Sequence, residues 1–257
     1  MTPRKREPGW VQPPSEQVRE AAGTLIGLVE EHLPQRFYRR ERPWRMYCAT
    51  MMVRMLDTVE AMLALMDADK PVDGAILLRA LYEEVVGFLW IAADPEERLD
   101  RWAEGARYYE RKMYNDALQF DMTILTRKEL AQTKDARQMP DLAQRADQVD
   151  KYWGGRLIGF RPSMGGPEGI LTMKGLYVAI YRFSSRAAHA QLNSLDPYVD
   201  VRRYPKVVAR PAPTSESIFW PLMIPLFAHA LLVCNDHLGW PDAAKVIAAN
   251  DAMYIQD

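Results

Sequence analysis

Between Gly74 and Ala93 only Arg79, Glu83 and Glu84 carry charge, while Leu77, Leu78, Leu81, Val85, Phe88, Leu89 and Trp90 spread apolar side chains over nearly every face. A helix that is hydrophobic all round has no side to offer to water and must be enclosed by other elements. The segment from Val72 to Ala93 therefore reads as a central helix, and the rest of the chain is expected to wrap it.

The flanking segments read as helices that can do so. Ser15 is placed to cap a first amphipathic helix through Val18, Ala22, Leu25, Ile26 and Val29, which Pro34 stops. From Pro43 to Ala68 the residues Cys48, Met52, Met55, Val59, Met62 and Met66 alternate spacings of four and three, a bundle seam whose methionines are core filler. Asp94-Pro95-Glu96-Glu97 supplies a capping carboxylate, a proline at the first helical position and early acids. A long helix should start there at once and run through Leu99, Trp102, Ala106, Tyr109, Met113 and Ala117, with basic residues further along. Residues from Thr126 to Tyr152 are more polar and read as one or two solvated helices, the second opened by Pro140.

The stretch from Gly154 to Gly169 is too rich in glycine and proline for regular structure, and no strand precedes it as a phosphate-binding loop would need. Asp196 to Pro213 holds four prolines, so it is an extended loop or at most a short hairpin. Ile218 to Cys234 comes near the length of a membrane span, but Pro221, Pro225 and His229 interrupt it and it falls short of about 20 residues. It reads as a buried core helix, capped by Thr214 or Ser215, with a short helix after Trp240-Pro241. The fold expected is all-α, a single multi-helix bundle over residues 15–257 behind a loose arm at 1–14, with no substantial sheet.

A net charge of −1 argues against a protein that coats nucleic acid through bulk electrostatics. The two cysteines, Cys48 and Cys234, lie in apolar helical patterns and read as reduced, buried thiols, hence a cytoplasmic location. The runs Arg36–Arg45 and Arg202–Lys206 mix basic and aromatic side chains, a combination that can grip phosphates and stack bases, but they read first as solvated surface. No local histidine motif for a metal is present, so neither a metal nor another cofactor is expected.

Two constellations carry chemistry. Arg79 and Glu83 stand one turn apart on the central helix, an ion pair that is at least partly buried and therefore conspicuous. In Leu176 to Ala190, helical spacing places Arg182, Ser185, Arg186 and His189 within roughly 100° of arc, with Tyr181 beside them. An imidazole can move a proton to or from a phosphodiester's reacting oxygens while a guanidinium balances the phosphorane charge. A serine-nucleophile reading lacks the Gly-x-Ser-x-Gly turn that such a nucleophile needs. The low-charge helix bearing Arg79 and Glu83 is the natural place for the His189 helix to dock.

These pieces together resemble a bacterial all-α family of unknown function: Arg79-x-x-x-Glu83, then Asp94-Pro95, a Trp153-Gly154 element, and Tyr181-x-x-x-Ser185-x-x-x-His189. More distantly, Arg182-x6-His189 resembles the Arg-x4–6-His motif of the HEPN superfamily, although Phe183 stands where a polar residue is usual. That resemblance implies a metal-independent ribonuclease of stress or phage defence, assembled as a homodimer, with RNA as substrate and an antitoxin or neighbouring protein as partner. His189 would be the acid and base and Arg182 or Arg186 would balance charge, with Arg79, Glu83 and Ser185 orienting them and Tyr181 and Tyr82 contacting substrate. The alternative expectation is a non-catalytic helical binding protein in which Arg79, Glu83, Tyr181, Ser185 and His189 form a buried polar network that fixes helix register.

Overall fold

The computed structural model describes residues 15–33, 43–120, 122, 126–153, 172–181, 199–200, 206–207, 220–240 and 242–252. The fold is all-α. Helix α1 (Ser15–His32) buries Val18, Ala21, Ala22, Leu25, Leu28 and Val29 on one stripe, with Ser15 already its first helical residue. In α2 (Pro43–Asp67) all six seam residues expected from Cys48 to Met66 are buried. The chain reverses at Asp69, whose φ of 51° is left-handed, a conformation that a short polar side chain tolerates better than most.

Helix α3 (Pro71–Ala92) is the central element, packed against α2 along its length. Tyr82 and Phe88 are among the largest side chains sealed in the core. Helix α4 (Pro95–Leu118) begins where Asp94-Pro95 predicted, Asp94 accepting weakly from the Glu97 amide at 3.4 Å. Its first turn is acidic, but its last turn holds no basic residue, so the expected complement to the helix dipole is present at one end only. Helix α5 (Arg127–Gln132) is closed by a capping box in which Thr126 and Glu129 exchange bonds.

Helix α6 (Leu142–Trp153) opens two residues after Pro140, through a reciprocal Asp141 and Gln144 cap of 2.8 and 2.9 Å. It corrects the expectation of a solvated segment. Ala146 and Val149 are fully buried against α3, and the two helices satisfy each other's polar groups. Trp90 Nε1 donates to Gln148 Oε1 at 2.6 Å, and Trp153 Nε1 donates to the Leu89 carbonyl at 3.0 Å.

Helix α7 (Met173–Leu176), capped by Thr172, runs straight into a π-helical turn over Tyr177–Tyr181. The expected face assumed 100° per residue throughout, and a π turn, closed by i to i+5 bonds, winds more slowly. The helical backbone thus starts earlier and wider than the spacing predicted. A short antiparallel hairpin pairs β1 (Val199–Asp200) with β2 (Lys206–Val207), in the register Val199 with Val207 and Asp200 with Lys206.

The apolar segment forms α8 (Met223–Leu238) behind a 3₁₀ turn at 220–222. Pro225 lies in its first turn, where a missing N–H removes no helical bond. Gly239, at φ 75°, ends it in the left-handed conformation, its amide bonding the Asn235 carbonyl at 2.7 Å. Together with the 3₁₀ turn it forms the stretch Trp220–Leu238, among the described residues the one helical segment long and apolar enough to cross a membrane, and 83% of its most apolar window is buried inside the protein. Helix α9 (Ala243–Ala252) follows and packs against α1 and α8. Cys48 and Cys234 are free, buried thiols on α2 and α8, and burial pushes the Cys234 thiol well above its ordinary range.

The arm at 1–14, the link at 36–42, the glycine-rich stretch at 154–169 and the Thr214 and Ser215 cap lie outside the described residues.

Candidate functional site

The middle of α3 presents Arg79 and Glu83 on one side, as an i, i+4 pair should be. Arg79 Nε donates to Glu83 Oε1 at 2.9 Å, with the arginine side chain 20% and the glutamate 42% exposed. The pair is partly buried, as the low charge of α3 suggested. The same guanidinium lies 4.2 Å above the centre of the Tyr181 ring, and Tyr181 stacks on Tyr177 with centroids 4.9 Å apart and planes 16° from parallel. Arg79 therefore links its own helix to the end of the π turn by charge on one side and by its flat face on the other.

Beneath this pair, Tyr82 is fully buried and its hydroxyl donates to the Met173 carbonyl at 2.6 Å. Burial pushes its ionisation far above the ordinary phenol range, so it serves α7 as a neutral donor. Asp150 of α6 grips the same turn from the other side, accepting from the Met173 and Lys174 amides at 2.7 and 2.9 Å. Asp147, one turn earlier, binds Lys151 at 2.6 Å and Lys174 at 2.9 Å, and these ammonium groups hold its carboxyl down at about 2. Two helices, α3 and α6, thus grip α7, and each of these contacts uses a polar group.

Of the residues expected at the site, Arg79, Glu83 and Tyr181 come together, and Tyr82 supports them from the core. Arg182, Ser185, Arg186 and His189 lie outside the described residues. Because Tyr181 immediately precedes Arg182, the contact with Arg79 anchors the chain at the point where the arginine and histidine segment begins.

Sequence reasoning missed Arg145. This α6 arginine points into the space between α3 and α4, its guanidinium 5.3 Å from the Trp102 ring centre. Burial lowers its affinity for a proton, opposed by the nearby Glu83 carboxylate. Its Nε and Nη1, like the Tyr47 hydroxyl, are screened from solvent with no hydrogen-bond partner among the described residues. A signal was present: at helical spacing Arg145 falls at the edge of the stripe formed by Leu142, Ala146, Val149 and Trp153, so it had to face α3.

A second missed cluster joins the two ends of the chain. One ligand atom each from Glu31, His32 and Asp242 lie within 4.8 Å of one another, close enough for a divalent cation to bridge. His32 Nε2 is 2.7 Å from Asp242 Oδ2, and Lys245 Nζ is 3.0 Å from Asp242 Oδ1, so the carboxylate already has cationic company. Contacts from His32 and then Lys245 hold it below the usual carboxylate range. Local motifs cannot reveal such a cluster, since 210 positions separate the histidine from the aspartate.

Residues 45–204 match the Family of unknown function (DUF5677), a span that contains Arg79, Glu83, the Asp94-Pro95 helix start and the segment through His189. No curated protein and no solved structure matches the chain.

Proposed function

We propose that this chain, which belongs to the family of unknown function DUF5677, is a non-catalytic helical binding protein in which a polar network on α3 fixes the register of the Tyr181 helix. The observation that carries this reading is the double engagement of Arg79, bonded to Glu83 and stacked over Tyr181. A group committed on both sides holds a helix well and is poorly placed to reorganise around a reacting phosphate. A half-exposed i, i+4 ion pair contributes about 0.3–0.5 kcal/mol. A guanidinium over a tyrosine adds roughly 0.5–1 kcal/mol. Their sum, about 1 kcal/mol, is enough to select one register for a short segment and too small to hold up the whole fold. The surface held in place by Arg79, Tyr177 and Tyr181 would then present a partner with a fixed array of planar and charged groups.

The test is to compare the purified protein with His189→Ala and Arg79→Ala for thermal melting and for cleavage of a mixed-sequence RNA. The expected result is no cleavage by any of the three and a melting temperature lowered in Arg79→Ala by about 2–4 °C. Cleavage by the unsubstituted protein, lost in a fully folded His189→Ala, would overturn it in favour of a HEPN-like ribonuclease acting through His189 and Arg182.

A further inference from the structure

Away from the α3 and α7 contact, the junction of α1 with α9 gathers metal-ligating side chains. Glu31 and His32 stand in the last turn of α1, where the unpaired carbonyls of a helix end favour a cation. Asp242 immediately precedes α9, its own carbonyl accepting from the Val246 amide at 3.1 Å. The His32 ring lies on the nearly buried Trp240 indole, with centroids 5.0 Å apart and planes 19° from parallel, so a rigid wall fixes the plane of the imidazole. Its Nε2 is thereby held 2.7 Å from Asp242 Oδ2, while Glu31 is exposed and can adjust. One ligand atom from each of the three lies within 4.8 Å of the others, a span that two metal–ligand bonds of about 2.0–2.2 Å nearly cover. Lys245 places its ammonium 3.0 Å from Asp242 Oδ1, and contact with Asp242, then the charge of Glu31, raises its affinity for a proton. The cluster therefore already draws a cation, and this one is exposed on a flexible stem that a metal can displace.

We propose that Glu31, His32 and Asp242 bind a divalent transition-metal ion such as zinc, which clasps the end of α1 to the start of α9. One imidazole and two carboxylates make a mixed nitrogen and oxygen set, and the imidazole favours zinc, nickel or cobalt over magnesium and calcium, which prefer oxygen alone. A neutral ring ligates through Nε2 with its proton on Nδ1, so the metal takes the place of the hydrogen bond between His32 and Asp242. Lys245 then turns to solvent. All three ligands lie outside residues 45–204, so the site belongs to the flanks of this chain and not to the family span. It is independent of the Arg79 network, and neither proposal requires the other.

The probe is Zn²⁺ alone, titrated into the full chain by calorimetry at neutral pH in a buffer that does not bind metals. The expected result is saturable binding of a single ion with a micromolar Kd, accompanied by a higher melting temperature. Removing a ligand costs at least as much as disturbing its supporting shell, so His32→Gln and Asp242→Asn should each weaken binding at least about tenfold. Melting curves without metal show whether each of these variants is folded. Lys245→Ala, at an exposed position that leaves the fold intact, removes the competing ammonium and should bind as tightly as the parent or more so. The proposal is overturned if the parent gives no saturable heat, or if the Kd is unchanged in folded His32→Gln and Asp242→Asn, which would put the ion elsewhere. Displacement of zinc by an equal concentration of Mg²⁺ would overturn it too, since a site completed by an imidazole discriminates against that ion.

Discussion

Helices α3 and α4 follow one another across a two-residue elbow and are nearly equal in length, yet they live in different solvents. Fourteen of the residues in α3 are buried, whereas in α4 only Gly105 is. Leu99 and Trp102 lay the first half of α4 against the core, but Tyr109 and Met113, on the same stripe, are 47% and 56% exposed. A helical repeat of apolar residues shows which face can be buried, and the reach of the neighbouring elements decides how much of it is. In α3 the polar groups from Arg79 to Trp90 are matched by specific partners: Arg79 with Glu83, Glu84 with Arg54, Tyr82 with the Met173 carbonyl and Trp90 with Gln148. In α4 the second half tolerates exposed apolar groups because single ones cost little.

The sharpest way to break this contrast is to truncate one large side chain on each helix. Phe88 is fully buried, and Phe88→Ala should cost about 3–5 kcal/mol in urea unfolding. Met113→Ala on α4 should stay within about 0.5 kcal/mol of the parent. Equal losses would mean that the outer half of α4 is packed in solution and that the contrast is false. A smaller separation is expected from glycines. At Gly74 an added Cβ would come within 1.9 Å of the Trp220 ring, a rigid and nearly buried indole, and Gly74→Ala should cost about 1–3 kcal/mol. At Gly105 the nearest atom is Met139 Cγ at 2.2 Å, part of an unbranched side chain outside any helix that can turn aside. There the roughly 1 kcal/mol gain in helix propensity offsets the displacement, and Gly105→Ala should unfold within about 1 kcal/mol of the parent.

The legibility of the sequence divides along the same line. The centrality of α3, the α2 seam and the helix start at Asp94-Pro95 were legible because each is a local pattern with one physical solution. The Arg79 and Glu83 pair was legible for that reason too, and its docking against the Tyr181 segment followed from the scarcity of charge on α3. The placement of α6 was not, because its buried stripe is narrow and has an arginine, Arg145, at its edge, so polarity outvoted periodicity. The π turn at Tyr177–Tyr181 is a departure from the regular α-helix that the hydrophobic pattern does not signal. The approach of His32 to Asp242 depends on how α1 and α9 pack, which no local spacing encodes. The segment from Arg182 to His189 was the strongest chemical signal in the sequence, and it lies outside the described residues.

The smallest expected effect separates buried from exposed polar contacts on α7 itself. Tyr82 grips this helix from inside the core, whereas Asp147 grips it from the surface through Lys174, with Lys151 as its other partner. Those two ammonium groups, Lys151 first, lower the Asp147 carboxyl from its ordinary 3.8 to about 2 in the folded protein. A carboxyl depressed by folding stabilises the native state when it is ionised. Its contribution is complete above the unfolded value of 3.8 and disappears as the pH falls through about 2. Asp147→Asn should therefore melt slightly below the parent at neutral pH, and the gap between the two should close as the pH is lowered from 4 toward 2. Because the other carboxyl groups titrate alike in both proteins, the difference between the melting curves isolates this one. A gap that persists unchanged at pH 2 would show that Asp147 acts through packing, not charge, and that the surface clasp resembles the buried one more than its exposure implies.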